Sequence, residues 1–458
     1  MIKRNKKNNL LTEVEHNYAL QDRKNPNLFR NFFPYKEIPK VAFNNTLVPL
    51  NMPSEIWITD TTFRDGQQSR KPYTVEQIVH IYRELHRLGG PKGLIRQSEF
   101  FLYSPKDREA VYRCREEGFE FPEITSWIRA SKKDFEMVKE LELEETGILV
   151  SCSDYHIYKK MKMTRKEAMD HYLNVVRECI ETGVRPRCHL EDITRADFYQ
   201  FVVPFVDALQ ELGKETGVPV KVRACDTMGY GVTYPGSMLP RSVPGIIWGL
   251  GHHAHVPPAL IEWHGHNDFY RAVSNASNAW LYGASGVNCS LFGIGERTGN
   301  TPTEAMVFEY AQLRGTLDGM DTTAITDLAE YYEKEIGYPM PPRTPFVGSE
   351  FNLTRAGIHA DGIMKDEEIY NIFDTEKFLK RPAKVAVSKT SGAAGIAYWL
   401  KNNVDGPKTE QFSKEHPLVM EMKQWVDAQY EDGRVTSLSD DELMDAAEGI
   451  AKRMGMEW

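Results

Sequence analysis

Apolar runs of strand length alternate with amphipathic runs of helical length along most of this chain. The strand-like runs lie at 56–60, 93–99, 123–128, 147–153, 187–193, 218–225, 260–266 and 287–292, and a run with helical periodicity follows each of them, at 74–88, from 104 onward, and at 131–143, 164–182, 197–216, 242–249, 272–282 and 302–313. Eight strand–helix pairs within about 260 residues are typical of a (β/α)8 TIM barrel.

The sequence after the first strand-like run separates the two α/β folds that this pattern allows. An open doubly wound sheet usually has a glycine-rich dinucleotide-binding turn at that place. Asp60-Thr61-Thr62 stands there instead. The pattern therefore predicts a (β/α)8 barrel.

The segments outside the repeat predict three additions to the barrel. Residues 1–54 are polar and irregular, and we expect them to form an N-terminal extension. The barrel itself is predicted at 55–320. Residues 321–401, which include a proline-rich stretch, predict a mixed linker subdomain, and residues 402–458 predict a helical C-terminal subdomain.

Composition narrows the class of protein. The 458 residues are 41% hydrophobic and 26% charged, which is normal for a soluble globular protein. A net charge of -9 argues against nucleic acid or an anionic membrane as a partner. No apolar run approaches the roughly 20 residues needed to cross a bilayer. Six scattered cysteines without a CxxC pair fit reduced thiols in the cytoplasm, which is where we expect the protein.

Polar clusters follow seven of the eight predicted strands. Any one of them could be an ordinary polar loop. The active sites of TIM barrels lie at the carboxyl ends of the strands, however, and these clusters would share that rim. They are Arg64-Asp65, Gln97 with Glu99, Ser153-Asp154 with His156, Glu191-Asp192, Asp226-Thr227, His264 with His266, and the segment from Gly293 to Asn300.

Two of these clusters have the residue types of a metal site. His264 and His266 are two positions apart on a predicted strand, so their side chains lie on one face of it. Asp65, at the end of another strand, could complete a set of three ligands. Such a set leaves three positions open for a chelating substrate and water, which suits octahedral Mg²⁺ or Mn²⁺.

Three motifs resemble the signatures of the metal-dependent, Claisen-condensing barrel family. They are Asp60-Thr-Thr-Phe-Arg64-Asp65-Gly-Gln, His264-Gly-His266-Asn-Asp268 and Gly293-Ile-Gly-Glu-Arg-Thr-Gly-Asn300. The family includes isopropylmalate, homocitrate and citramalate synthases, hydroxymethylglutaryl-CoA lyases and Re-specific citrate synthases. The resemblance covers residues 56–401. It implies a divalent cation (Mn²⁺ or Mg²⁺, with Co²⁺ as a further candidate), acetyl-CoA and a 2-oxoacid as substrates, and a homodimer.

The resemblance also implies roles for residues near the cation. Asp65, His264 and His266 match the family's metal ligands, and Asn300 occupies a fourth, weaker position, with a loop-shaping role as the alternative. Arg64 matches the arginine that reaches the keto oxygen, where a permanent positive charge would stabilise an oxyanion. Its alternative is a salt bridge to a neighbouring carboxylate.

Four further residues match the family's catalytic and substrate-binding positions. Thr227 resembles the threonine that holds the 1-carboxylate of the substrate, or it caps a loop. Glu191 resembles a glutamate that positions water or moves protons; its alternative is a buried ion pair, for instance with Arg195. His359 and Tyr370 match a segment that reaches over the active site of the partner subunit, with His359 as the proton acceptor or as a structural histidine.

The identity of the 2-oxoacid depends on the residues of the second and fifth predicted strands. Gln97 stands where many relatives have Glu, and Glu99 lies on the same face. Arg187, His189 and Glu191 share a face of the fifth strand. Arg187 and His189 together could hold the second carboxylate of a dicarboxylic oxoacid, whereas an isopropyl group would need an apolar pocket. A core or rim position for His189 is the alternative.

The N-terminal extension, Gln97 and His189 are most similar to the Re-specific citrate synthases. This resemblance implies condensation of acetyl-CoA with oxaloacetate to give citrate and CoA. Homocitrate synthase, which uses 2-oxoglutarate, is the alternative, followed by isopropylmalate or citramalate synthase. A lyase is disfavoured, because the family's lyases have a cysteine in the glycine-rich loop after the last strand, whereas Cys289 lies inside that strand.

Overall fold

A computed structural model of the chain describes residues 2–4, 11–13, 18–129, 131–404 and 412–456. The predicted N-terminal extension and C-terminal subdomain both lie partly outside these described residues. The chain folds into two compact units, Met1–Asp321 and Thr322–Trp458.

The first unit contains a closed barrel of eight parallel strands. Its last strand pairs with the first and with the seventh, which completes the ring. The predicted TIM-barrel fold is therefore confirmed. The strands are β1 (Trp57–Asp60), β2 (Ile95–Phe100), β3 (Glu123–Ile128), β4 (Glu145–Ser151), β5 (Arg185–Glu191), β6 (Lys221–Asp226), β7 (Ile261–Gly265) and β8 (Gly286–Cys289).

A helix follows each strand. Thr74, Ser104, Ser131 and Thr164 precede the first four helices, and each side chain accepts a hydrogen bond from a backbone N–H in the first turn, so these helices start sharply. The helices are α1 (Val75–Gly89), α2 (Pro105–Glu116), α3 (Lys132–Glu140), α4 (Arg165–Glu181), α5 (Val203–Thr216), α6 (Val243–His252), α7 (Ala272–Tyr282) and α8 (Thr303–Arg314).

Charged side chains fill much of the barrel interior, where branched apolar residues are usual. Arg187 contacts Glu145 at 2.6 Å, Lys221 contacts Glu145 at 2.8 Å, and Arg223 contacts Glu262 at 2.7 Å. Burial alone would raise the pKa of Glu145, but Lys221 and Arg187 lower it to about 2. β4 and β5 begin two residues before the predicted starts at 147 and 187. Their first residues, Glu145 and Arg185, are charged, and a hydrophobic pattern does not include them.

Residues 18–54, which we call the N-terminal arm, lie on the barrel. Phe32, Phe33 and Ala42 of the arm pack in one cluster with Met238 from the loop after β6. The guanidinium of Arg241 in the same loop donates to the backbone oxygen of Lys40 at 3.0 Å. The arm therefore contributes apolar and backbone contacts to the loop side of the barrel.

The second unit is mainly helical and has its own core. One cluster joins Ile396 and Trp399 to Leu418, Met422 and Ile450, on both sides of the boundary predicted at 401/402. No helix in the described residues is long and apolar enough to span a bilayer. The elements are α9 (Ala324–Tyr331), β9 (Leu353–Thr354), α10 (Gly357–Lys365), α11 (Thr375–Leu379), β10 (Lys384–Val385), α12 (Gly392–Asn403), α13 (Pro417–Glu431) and α14 (Asp440–Arg453).

Candidate active site

A cavity of about 200 Å³ lies at the carboxyl ends of the barrel strands. This is where the sequence predicts the active site. The residues lining it are Arg64, Asp65, Gln68, Trp127, Leu149, His189, Glu191, Cys225, Thr227, His264, His266, Glu296 and Arg297.

Asp65, His264 and His266 meet on one wall of this cavity. Their candidate ligand atoms all lie within 4.8 Å of one another, and all three residues are buried. Nε2 of His264 lies 3.3 Å from Nε2 of His266 and 3.5 Å from Oδ2 of Asp65. One carboxylate and two imidazoles at this spacing form a donor set that fits a single divalent cation.

Asn288 determines which nitrogen of His264 faces the other two ligands. Its Nδ2 donates to the backbone oxygen and to Oγ1 of Thr59 at 3.3 and 3.0 Å, so its Oδ1 is left to accept from Nδ1 of His264 at 2.7 Å. The proton of His264 is therefore held on Nδ1, and the lone pair of Nε2 faces Asp65 and His266. Sequence analysis missed Asn288, because the strand register that pairs it with both Thr59 and His264 cannot be read from one sequence.

Asn300 completes this group of polar residues. Its Nδ2 donates to Oδ2 of Asp65 at 3.1 Å. Its Oδ1 is buried and, among the described residues, has no hydrogen-bond partner. A Cβ atom on Gly295 would come within 2.3 Å of this oxygen, so only glycine fits there. Asn300 therefore contacts one candidate ligand, Asp65, through its amide nitrogen, and its role as a fourth ligand stays a prediction.

The ionisation of the three groups suits metal binding. Burial lowers the pKa of His264, and burial together with the neighbouring His264 lowers that of His266 to about 4. Burial would raise the pKa of Asp65, but Arg64 and the two histidines outweigh it and lower that pKa. Near neutral pH the site therefore contains an ionised carboxylate and two neutral imidazoles, as a cation requires.

Arg64 lies next to Asp65 in a π-helical turn, Thr62–Gly66, directly after β1. Its Nε donates to Oε1 of Glu99 at 2.7 Å, and its Nη1 donates to Asp65. The guanidinium also lies over the ring of Trp127, 5.5 Å from its centroid. Arg64 therefore lines the cavity, as its predicted role requires. It also forms salt bridges with neighbouring carboxylates, which was the alternative role.

Gln97, Glu99 and Arg187 lie outside the lining of the cavity. All five N–H groups of Arg187 contact protein atoms: Nε contacts His189, Nη1 contacts Gln97 and Glu145, and Nη2 contacts Glu99 and Thr125. Burial would raise the pKa of Glu99, but its arginine neighbours hold it well below the usual value. Glu99 and Arg187 form a charged layer outside the cavity lining, with the neutral Gln97 beside them, and the predicted role of all three in substrate binding stays a prediction.

His189 lies between this charged layer and the cavity. Its Nε2 accepts from Nε of Arg187 at 3.3 Å, which leaves its proton on Nδ1. Burial and the nearby Arg223 hold the pKa of His189 well below its usual value. Gly147 makes room for the ring, because a Cβ atom there would lie 2.7 Å from Nε2. His189 is therefore a neutral N–H donor.

Glu191 lines the cavity, and its carboxylate contacts the loop after β4. Oε2 lies 3.0 Å from Nδ1 of His156 and accepts from the hydroxyl of Ser151. Burial would raise the pKa of Glu191, but His156, Ser151 and Lys160 lower it to about 2. The alternative interpretation, a buried ion pair, finds its partners in His156 and Lys160. Arg195, the partner suggested from the sequence, pairs with Asp192 at 2.9 Å.

Thr227 lines the cavity, and it also caps a loop, which was its alternative role. Its Oγ1 accepts from the backbone N–H of Asp192 at 2.9 Å, which joins the loops after β5 and β6. Its backbone oxygen accepts from Arg297, which also pairs with Asp268 at 2.8 Å.

His359 and Tyr370 lie in the second unit. Their ring centroids are 4.4 Å apart, and both side chains are exposed. The sequence thus predicted a pair that the fold brings together, and their contribution to catalysis stays a prediction.

The HMGL-like family model matches residues 55–331, which span the whole barrel. The chain belongs to the HMGL-like family. It is 57% identical to the citrate (Re)-synthase of Clostridium kluyveri over 94% of this chain and 96% of that protein. It is 52% identical to the citrate (Re)-synthase of Syntrophus aciditrophicus, over 93% of this chain and 68% of that protein.

A solved structure has the same fold as the barrel. The HMG-CoA lyase of Bacillus subtilis superposes with a TM-score of 0.51 at 19% identity and covers 64% of this chain and 97% of its own. The family model and the two citrate (Re)-synthases confirm the family predicted from the three motifs.

Proposed function

We propose that this HMGL-like protein is a citrate (Re)-synthase, which condenses acetyl-CoA with oxaloacetate and releases citrate and CoA. The observation that carries the proposal is the 57% identity to a citrate (Re)-synthase along 94% of the chain. The carboxylate, imidazole and guanidinium groups that line the cavity suit the condensation of acetyl-CoA with a 2-oxoacid.

Asp65, His264 and His266, with Asn300 nearby, would hold one divalent cation, Mn²⁺ or Mg²⁺. Such a cation, when bound, supplies Lewis-acid polarisation of the keto group of the oxoacid and stabilises negative charge on its oxygen. These side chains also fix where the oxoacid lies in the cavity.

Arg64 stabilises the oxyanion that develops on the former keto oxygen. Its charge persists at any working pH, and the contacts with Glu99 and Asp65 fix its orientation in advance. Thr227 and the N–H of His189 provide neutral polar groups for the carboxylates of the substrate. We assign His189, rather than Arg187, to the second carboxylate, because all the N–H groups of Arg187 contact protein atoms.

The methyl group of acetyl-CoA must lose a proton before its carbon attacks the ketone, and the thioester must then react with water. We assign the first proton transfer to His359 of the partner subunit, assisted by Tyr370 of the partner subunit. A histidine suits this role because its imidazole ring can both accept and donate a proton. This assignment requires a homodimer. Glu191, an anion on the cavity wall, orients the water.

Release of free thiol from acetyl-CoA tests the proposal. Wild-type protein with Mn²⁺ is assayed separately with oxaloacetate, 2-oxoglutarate, pyruvate and 2-oxoisovalerate. We expect thiol release with oxaloacetate to exceed that with any other acceptor, and citrate to form in equal amount. A higher rate with 2-oxoglutarate would make the protein a homocitrate synthase, and no release with any acceptor would contradict the condensation itself.

A further inference from the structure

His156 lies between two carboxylates in the loop that joins β4 to α4. Nδ1 is 3.0 Å from Oε2 of Glu191, and Nε2 is 3.7 Å from Oδ2 of Asp192. Arg195 already pairs with Asp192 at 2.9 Å. Glu191 is therefore the carboxylate nearest to His156, in a close contact of charged or polar atoms that is not aligned as a hydrogen bond.

The other contacts of Glu191 hold it less firmly. Ser151 donates to the same oxygen, Oε2. Lys160 lies 3.6 Å away on a side chain that is 58% exposed, where an ion pair contributes little. Without His156, the carboxylate would keep only the hydroxyl of Ser151 and the exposed ammonium group of Lys160, which leave it free to rotate away from the cavity.

Two tyrosines on either side of His156 donate to the backbone of the N-terminal arm. The hydroxyl of Tyr155 donates to the carbonyl of Leu28 at 2.8 Å, and that of Tyr158 donates to the carbonyl of Arg23 at 2.6 Å. Both bonds connect the turn that contains His156 to residues more than 120 positions earlier in the chain.

A buried ion pair strengthens the contact between arm and loop. The backbone N–H of Asn27 donates to Asp154 at 2.6 Å, and Asp154 also accepts two bonds from Arg165 at 2.8 and 2.9 Å. The side chain of Arg165 is fully buried and also contacts Asp197 and the carbonyl of Gln21. The arm is therefore bonded to the residues on both sides of His156.

We propose that His156 is a positioning residue for Glu191, and that the N-terminal arm keeps His156 in place and thereby forms part of the active-site scaffold. The inference rests on the proposed function, in which Glu191 orients water at the reacting thioester. A carboxylate in that role must keep its hydrogen-bond geometry within about 0.5 Å. The arm supplies this constraint from outside the barrel.

Substitutions of His156 test the positioning role. We expect His156→Ala to lower kcat at least tenfold, about the cost of a small misplacement of a catalytic group, with KM for oxaloacetate within about twofold of wild type. His156→Asn keeps an N–H close to the position of Nδ1 and should recover most of the lost kcat. A merely structural histidine would not give this split between kcat and KM, nor the rescue.

The two tyrosines test the role of the arm. The double variant Tyr155→Phe/Tyr158→Phe should also lower kcat. In a protein that already carries His156→Ala, the two tyrosine substitutions should lower kcat little further, because the effects of coupled sites are not additive. Tyr112→Phe, at a half-exposed position on α2, is the matched control and should equal wild type. Hydrogen–deuterium exchange over residues 153–162 should rise in the double tyrosine variant.

The outcomes separate this inference from the proposed function. Wild-type protein that releases no thiol with any oxoacid contradicts the proposed function, and the exchange measurement still decides whether the arm holds the loop. Wild-type kcat in His156→Ala overturns the positioning role. Unchanged exchange and unchanged kcat in the double tyrosine variant overturn the role of the arm.

Discussion

At the scale of single residues, the proton position on His264 determines whether the donor set can accept a cation. A neutral imidazole offers one lone pair, and the amide of Asn288 fixes it on Nε2, because its Nδ2 donates to Thr59 and its Oδ1 accepts from Nδ1 of His264. His264 and its partner amide act as one unit.

Replacement of Asn288 tests this unit. Asn288→Ala should weaken Mn²⁺ binding by about 10- to 100-fold, the usual effect of losing the hydrogen-bond partner of a metal-binding histidine. The affinity is measured by titrating the metal-free protein with Mn²⁺. Asn278→Ala, at a partly exposed position on α7, is the control and should bind Mn²⁺ as tightly as wild type. Equal affinities in the two variants would count against the role of Asn288.

At the scale of elements, the loop between β8 and α8 depends on a buried carboxyl group. Oε2 of Glu304, in the first turn of α8, accepts from the backbone N–H of Phe292 at 3.0 Å. Phe292 has a φ of 57°, in the left-handed region, so the loop needs this support on its way to Asn300. Burial raises the pKa of Glu304 to about 7.

The raised pKa of Glu304 predicts a pH-dependent stability. The protonated carboxyl group of Glu304 contributes fully to the free energy of unfolding below its ordinary pKa of 4.5. This contribution is lost as the pH rises through about 7. Glu304→Gln keeps the acceptor without the charge. Its unfolding free energy should match wild type near pH 4.5 and exceed it by at most about 3 kcal/mol at pH 8.

Calorimetric melting at several pH values measures the difference. Glu136→Gln, an exposed position on α3, is the control and should show no such trend. A Glu304→Gln variant that follows the wild-type curve at every pH would contradict the role of burial.

The sequence predicted the elements of the barrel better than the contacts between them. Hydrophobic periodicity was sufficient to predict the eight strands. The spacing of His264 and His266 was sufficient to predict that their side chains lie on one face of a strand. Strand register and interior ion pairs were not readable, so Asn288 was missed and the first residues of β4 and β5 were left out. The ion pairs of Arg187 with Glu99 and Glu145 could not be predicted either, because the three residues lie on different strands.

At the scale of the whole molecule, the proposed reaction uses two units of the chain. The barrel provides the candidate cation site, and the second unit carries His359 and Tyr370. In a homodimer of the proposed kind, each active site combines the barrel of one subunit with His359 of the partner subunit. Isologous dimers allow such sharing, since every contact occurs twice.

Complementation between inactive variants tests this sharing. Asp65→Ala and His359→Ala should each be inactive alone, and an equal mixture refolded together should recover about a quarter of wild-type activity, because half of the dimers then contain one intact site. The control is a chain that carries both substitutions, mixed with either single variant. This mixture should stay inactive, because no dimer in it contains an intact site. A mixture that stays inactive would show that His359 acts within its own subunit, and an active His359→Ala variant would show that His359 has no role in catalysis.

The cation held by Asp65, His264 and His266 is the central claim, and paired measurements of Mn²⁺ affinity and thiol release on His264→Ala test it most directly. Chelator treatment should abolish wild-type turnover and added Mn²⁺ should restore it. His264→Ala should keep its melting temperature within a few degrees of wild type, bind Mn²⁺ more than about 100-fold more weakly and release no thiol. Near-wild-type turnover in His264→Ala, or wild-type turnover that persists in excess chelator, would contradict the account.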